Sequence, residues 1–259
     1  MTIVTLVSAH GSPGVTTTAL VLAATWPEPR RPLLVEGDPF GGVIAARYGL
    51  TDTPGLSTLA AQSRRGLDAA ALEEHVQLLP GGLRVLVGPP SPEEAQAVWR
   101  DVAGPLTEWA DRQPDVDVIV DRGRLPAGTP MNGPPPSTAP TLVVTRPTVD
   151  QLRPASIRQA ALAASGVEAS LLLVGDRPYR PEEVAATMAV PVAGAVAWDP
   201  RTAAVLAGVQ GAMRDLRRTP LVRSAATLAE TLAITPGASP VGDSTHHRPA
   251  TVPAREVGR

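Results

Sequence analysis

One short stretch near the start of this chain limits its fold more than any other: a glycine turn between an apolar strand and a hydroxyl-rich helix start. The apolar run Ile3 to Val7 leads into Ala9-His10-Gly11-Ser12-Pro13-Gly14-Val15-Thr16-Thr17-Thr18, and the small-residue stretch Ala19 to Ala24 follows. A second apolar run, Leu33 to Val35, ends in Glu36-Gly37-Asp38-Pro39-Phe40-Gly41-Gly42. Backbone N–H groups of such a turn, together with the N-terminus of the next helix, point at phosphate oxygens. Gly11 and Gly14 let the backbone curl, and the hydroxyls of Thr16 and Thr17 are placed to meet Mg²⁺.

The order strand, glycine turn, helix, strand, acidic turn is the opening of a P-loop nucleotide-binding domain. Yet Val15 stands where that motif carries lysine. The chain contains no lysine at all, and its 23 basic residues are all arginine. Schiff-base chemistry, a lysine general base and a P-loop lysine are therefore excluded. Without that lysine, binding of the β- and γ-phosphates and stabilisation of transition-state charge are both weakened. The bland reading of the same residues is a glycine turn that merely joins strand to helix.

Strand and helix signals alternate along the chain. Apolar strands are predicted at 2–8, 32–36, 83–87, 116–121, 140–145, 168–174 and 192–196. Helical stretches fall at 16–25, 56–63, 92–112, 149–164, 181–188 and 199–208. Short apolar strands separated by helices give βαβ units and a parallel sheet covered on both faces. Ser91-Pro92-Glu93-Glu94 is a helix start with a capping serine, proline in the first turn and acids against the dipole. Leu221, Val222, Ala225, Leu228, Ala229 and Leu232 recur at helical spacing and predict a last helix packed on the sheet. Residues 122–139 read as a long loop. Residues 235–259, rich in Pro, Gly, Ser and Thr, read as a disordered tail after a domain of residues 1–234.

Composition removes several classes of function. There is no cysteine, hence no disulfide, thiolate metal site or cysteine nucleophile. A formal net charge of -2 makes no general case for nucleic acid or membrane. No signal peptide and no apolar run long enough to span a bilayer is visible, so a cytoplasmic location is expected. The four histidines, at 10, 75, 246 and 247, show no metal-binding spacing with carboxylates. Arg214, Arg217, Arg218 and Arg223 form a local basic cluster that suits DNA phosphates or an acidic partner; a solvated helix face explains it as well.

In pattern the chain resembles the ParA/MinD family of deviant Walker A ATPases, whose loop reads Lys-Gly-Gly-x-Gly-Lys-Thr-Thr. His10, Gly11, Ser12, Pro13, Gly14, Val15, Thr16 and Thr17 occupy those places, so His10 and Val15 replace the family's two lysines. Glu36, Asp38 and Pro39 match the acidic motif after the next strand. The strand Val116 to Asp121 matches the Walker B-like strand, and Arg122-Gly123-Arg124 then departs from the family pattern. Leu142 to Pro147 and Leu171 to Gly175 match two later strands. Gly175-Asp176 stands where the family often carries an adenine-reading Asn. Pro191 to Pro200 matches the late strand and turn that approach the base.

The resemblance implies a Rossmann-like P-loop NTPase fold of the α/β class, with a mostly parallel sheet of about seven strands and helices on both faces. It implies ATP and Mg²⁺ as ligands. Asp38 would orient the attacking water. His10 to Thr17 and Asp176 would contact nucleotide, and Thr16, Glu36 and Asp121 would hold Mg²⁺. It further implies a protein partner, either a second copy or a related ATPase, and a role in partition, division-site placement or positioning of pilus or secretion machinery. Arg122 or Arg124, or a protonated His10, would supply part of the missing charge. Two alternatives stay open. One is a pseudo-ATPase that serves only as an interaction module. The other is a dinucleotide-binding unit in which Glu36, 25 residues after Gly11, grips a ribose, although the G-x-G-x-x-G fingerprint is absent.

Overall fold

The computed structural model describes residues 2–11, 13–64, 66–126, 128, 140–209 and 215–234. The tail expected at 235–259, Ser12 of the loop, Arg214, and most of the segment 127–139 lie outside the described residues.

The chain runs β1 (Ile3–Ser8), α1 (Val15–Ala24), β2 (Arg31–Glu36), α2 (Ile44–Tyr48), α3 (Leu56–Ser63), α4 (Ala69–Glu73), β3 (Gln77–Leu78), β4 (Arg84–Leu86) and α5 (Pro92–Asp111). It continues with β5 (Val116–Arg124), β6 (Thr141–Thr145), α6 (Val149–Ala164), β7 (Ala169–Val174), α7 (Pro181–Met188), β8 (Val192–Val196), α8 (Pro200–Leu206), a 3₁₀ turn (Leu216–Arg218) and α9 (Pro220–Ile234). The strands form one eight-stranded sheet in the order β3-β4-β2-β5-β1-β6-β7-β8. Every pairing is parallel except that of β3 with β4. Seven parallel strands were expected, and all seven form. The eighth, β3, is a two-residue antiparallel edge strand with no periodicity to betray it.

Alternation along each strand sorts the core into layers. Val4 and Leu6 of β1 face one side, with Leu34, Ile119, Leu142, Leu172 and Val196, and pack under α1 and α9. Ile3, Leu33, Val35, Val118 and Val120 face the other side, under α3, α4 and α5. Val7, Val143, Leu171 and Leu173 continue that second face under α6 and α7. Helix α1 is buried from Thr18 to Ala23 because α9 covers the surface that the sheet leaves free. Only small and aliphatic side chains fit a helix enclosed on both sides, which explains its sequence. Helix α5 begins as read: Ser91 Oγ accepts from Glu94 N at 3.2 Å, with Pro92 in the first turn.

One difference from the sequence reading bears on the site. Strand β5 does not stop at Asp121 but continues through Arg124, where a loop was expected. Ser8 pairs with Arg124 after a register irregularity in β1, and Leu125 N donates to Ser8 O at 2.8 Å. The extension carries Arg122, Gly123 and Arg124 up beside the glycine turn.

At the opposite end of β5, Asp117 is 1% exposed. It accepts from Thr2 N at 2.5 Å, Trp26 Nε1 at 2.7 Å and Arg30 Nε at 2.7 Å, and it pairs with Arg30 Nη2. Burial opposes its ionisation, but the Arg30, Trp26 and Thr2 donors outweigh burial and hold the carboxyl below its ordinary value. Stability from this group is present above the unfolded-state pKa and is lost as pH falls through the lower folded value. Asp117→Ala should cost about 3 kcal/mol near pH 7, because buried donors lose their acceptor. Urea denaturation checks this, with the gap to wild type closing below about pH 4. A loss under about 1 kcal/mol, or one independent of pH, would show that the network does not hold β1 and β5 together.

Candidate functional site

The C-terminal ends of β1, β2 and β5 meet at one place on the sheet edge. Gly14 caps α1 with φ +96°, a left-handed conformation that favours glycine, and Thr18 N donates to its carbonyl at 2.8 Å. The cleft beside this helix end has a volume of about 310 Å³. The expected residues Pro13, Gly14, Val15, Thr16, Thr17 and Asp38 line it, together with Arg47 and Arg124. Free N–H groups at the start of α1 and the positive end of its dipole make this a natural seat for an anion.

Val15 is 6% exposed and packs into the core while its remaining surface borders the cleft. His10 and Gly11 precede the cleft without lining it. His10 is exposed; its ring Nδ1 lies 3.4 Å from Gly11 O, and its carbonyl accepts from Ser8 Oγ at 2.9 Å.

Asp121 is 0% exposed. Its Oδ1 accepts from Gly123 N at 2.9 Å, and its Oδ2 has no hydrogen-bond partner. Burial raises its pKa to about 7, the neighbouring Thr16 hydroxyl and the Gly123 N–H pull the other way, and the charges of Glu36 and Asp38 raise it further. The Thr16 hydroxyl is thus close enough to favour the carboxylate without meeting Oδ2 in full hydrogen-bond geometry. An orphaned buried oxygen beside a threonine hydroxyl, at the foot of an anion-binding turn, fits Mg²⁺. That cation prefers few protein ligands and keeps its waters and phosphate oxygens. Accordingly, no cluster of three or more His, Cys, Asp or Glu able to hold a metal exists among the described residues.

Asp38 sits over Gly123. A Cβ at Gly123, whose φ is +53°, would lie 1.9 Å from Asp38 Oδ2, so only glycine permits this approach. Oδ1 accepts from Phe40 N at 2.8 Å. Burial raises the Asp38 pKa, while the Phe40 N–H and the charges of Arg122 and Arg124 lower it.

Glu36 is engaged by the backbone. Its Oε1 accepts from Val43 N at 2.6 Å and Ile44 N at 2.8 Å, and its Oε2 accepts from Gly88 N at 2.9 Å. The carboxylate fastens the start of α2 and the turn after β4, a structural role beside the metal-holding one that the motif implied. The same bonds engage the carboxylate that the dinucleotide reading assigned to a ribose. Arg122 is likewise engaged. It is 3% exposed, lies 4.1 Å from the Trp99 ring centroid and donates to Gly37 O. Arg124 remains at the cleft, with its guanidinium 4.6 Å from the Phe40 ring centroid.

A second, larger cavity of about 700 Å³ opens on the same sheet edge, at the ends of β6, β7 and β8. Gly175 and Asp176 line it. Its wall holds Arg146 stacked at 3.6 Å on the ring of Trp198, which is 53% exposed. Arg47, Arg146 and Trp198 were not singled out as site residues in the sequence. Arg146 follows a predicted strand and was legible by position, but nothing along the chain links Arg47 to the turn 33 residues earlier.

No protein-family model matches this chain, and no curated protein matches it. Solved structures do. The septum site-determining protein MinD complexed with Mg-ADP from Pyrococcus horikoshii OT3 aligns with a TM-score of 0.68 and 19% identity, covering 89% of this chain and 95% of that one. A ParA family ATPase from Chlorobium tepidum TLS aligns with a TM-score of 0.66 and 17% identity, covering 88% and 98%. The MinC:MinD cell division protein complex of Aquifex aeolicus aligns with a TM-score of 0.59 and 13% identity over 100% of both chains. The chain therefore has the fold of the MinD/ParA P-loop ATPases, in agreement with the order of its motifs.

The raised Asp121 gives a sign-definite prediction. Between its ordinary value of 3.8 and about 7, the folded protein holds a proton that the unfolded chain has lost. Wild-type stability therefore falls as pH rises through that window. Asp121→Asn lacks this component, while the raised Glu36 and Asp38 are common to both proteins. The melting temperature of D121N relative to wild type should climb from pH 4 to 7 and level off above. A pH-independent difference contradicts the assignment.

Proposed function

We propose that this protein is a nucleotide-dependent switch of the MinD/ParA kind, binding a nucleoside triphosphate with Mg²⁺ weakly and hydrolysing it slowly or not at all. The observation that carries the reading is the buried, half-satisfied Asp121 carboxylate beside Thr16 beneath the α1 N-terminus. A fold that had abandoned phosphate chemistry gains nothing from an unpartnered buried oxygen there.

In this reading the α1 N-terminus and the backbone from Pro13 to Thr17 bind the phosphates. Thr16 and Asp121 would hold Mg²⁺, which would supply charge neutralisation to the phosphates. Asp38, fixed over Gly123 and tied to Phe40 N, orients a water at the cleft. Its position in the acidic turn after β2 makes it the residue that would register the loss of a phosphate. The cavity at Arg146 and Trp198 takes the base by stacking, with Gly175-Asp176 in the place of an adenine-reading side chain. Val15 supplies no charge to a transition state, which is why hydrolysis is slow.

The structurally similar MinD of Aquifex aeolicus is described in complex with MinC. By that likeness the output of the switch is a protein complex, either a homodimer or a heteromer, and the role is positioning or partition. DNA is the weaker candidate. Arg217, Arg218 and Arg223 are exposed on the 3₁₀ turn and α9, but the chain as a whole carries a formal net charge of -2. No helix among the described residues is long and apolar enough to cross a membrane.

A second reading, a pseudo-ATPase serving as an interaction module, is favoured by one feature: Val15 is packed as a core residue. Calorimetric titration with ATP and with GTP, with and without Mg²⁺, separates the two. Mg²⁺-dependent binding in the micromolar range, with turnover well below about 1 s⁻¹, supports the switch. No heat up to millimolar nucleotide supports the interaction module.

A further inference from the structure

The cleft lacks a lysine but does not lack cations. Arg47 and Arg124 both line it, and neither takes part in an ion pair among the described residues. Arg47 Nη1 is buried and has no hydrogen-bond partner. A buried guanidinium N–H without an acceptor is costly, and beside an open cleft an anion would satisfy it. A second unsatisfied atom, Asp121 Oδ2, lies in the same site and carries the opposite sign. One orphan donor and one orphan acceptor are the complement of an anion that carries its own divalent cation.

The chain at Arg47 is held in place from several sides. Glu36 binds the first N–H groups of α2 through Val43 and Ile44. Tyr48 Oη donates to Leu206 O at 2.8 Å. Gly208, with φ +73°, lies so close that a Cβ there would meet Arg47 O at 2.9 Å. Three contacts that converge on a five-residue helix fix where its arginine emerges. Arg124 arrives separately, on the extension of β5, and is braced on Phe40.

We propose that Arg47, with Arg124, replaces the P-loop lysine in cis and clamps the β- and γ-phosphates of the bound nucleotide. The inference rests on the nucleotide-binding reading above. A guanidinium presents a planar fork that suits phosphate oxygens, and it stays charged where a buried lysine would tend to lose its proton. The charges facing the cleft are then Arg47 from α2, Arg124 from β5 and Asp38 from the turn after β2, with Asp121 beneath it. The Arg122 guanidinium is already engaged with Gly37 O and Trp99.

The test is calorimetric titration of the full chain with Mg-ATP and with AMP, which lacks the clamped phosphates. Arg47→Gln should weaken Mg-ATP binding about 10- to 100-fold, the range of a lost charge-assisted hydrogen bond, and change AMP binding less than about twofold. Arg124→Gln should shift the same ATP-to-AMP ratio in the same direction, and it carries the test should R47Q lose its cooperative thermal transition. Wild-type protein that binds Mg-ATP while both variants bind it within about twofold overturns the proposal and leaves nucleotide binding standing. Wild-type protein that binds no nucleotide up to millimolar concentration overturns both.

Discussion

Three carboxylates and one buried guanidinium meet at the C-terminal edge of this sheet, and the rest of the site depends on how they share their charge. Glu36 takes three backbone N–H donors, and burial still outweighs them and the charge of Arg47, so its pKa stays above the ordinary value. Arg122 lies on Trp99 and donates to Gly37 O. Burial lowers its pKa to about 9, with the charges of Asp38 and Asp121 acting against that shift. Asp121 is the deepest of the group and keeps one oxygen without a donor. The site is thus strained electrostatically in a way that a cation at Thr16 and Asp121 would relieve.

The fold was legible because its signals are local and repeated. Each parallel strand announces itself as a short apolar run, since burial on both faces removes any need for alternation. The caps of α5 and the stripe of α9 were read from residues that sit next to one another in sequence. What sequence missed has a different physical origin. Strand β3 is two residues on an edge and carries no period. The short helices α2 and α4 are defined by capping and tertiary contacts and not by an apolar stripe. The extension of β5 through Arg124 comes from pairing with Ser8, across more than a hundred residues.

The same division runs through the candidate site. Gly14, Thr16, Thr17 and Asp38 line one cleft, and Asp121 lies beside Thr16 and Gly123. Glu36 has a structural role that the motif did not show, because an acid at the end of a strand has the same spacing whether it ligates a metal or staples a helix. Its fate is decided by three N–H groups that no motif displays. Arg122 and Arg124 looked equivalent in sequence, and two residues apart on a regular strand they would share a face; Gly123 between them has φ +53° and breaks the alternation, and one arginine is buried against Trp99 while the other borders the cleft. A chain without lysine thus keeps cationic side chains at a phosphate-sized cleft by drawing on arginines from two other elements.

The central claim is that Asp121 waits for a divalent cation brought by a nucleotide. The direct measurement is proton release on binding preformed Mg-ADP at pH 7, obtained by calorimetry in buffers of different ionisation enthalpy. With its pKa raised to about 7, Asp121 is half protonated before binding, and the cation drives that proton off. The account predicts release of about half a proton per nucleotide by wild type and none by D121N. Binding without proton release, or release that survives in D121N, would contradict it.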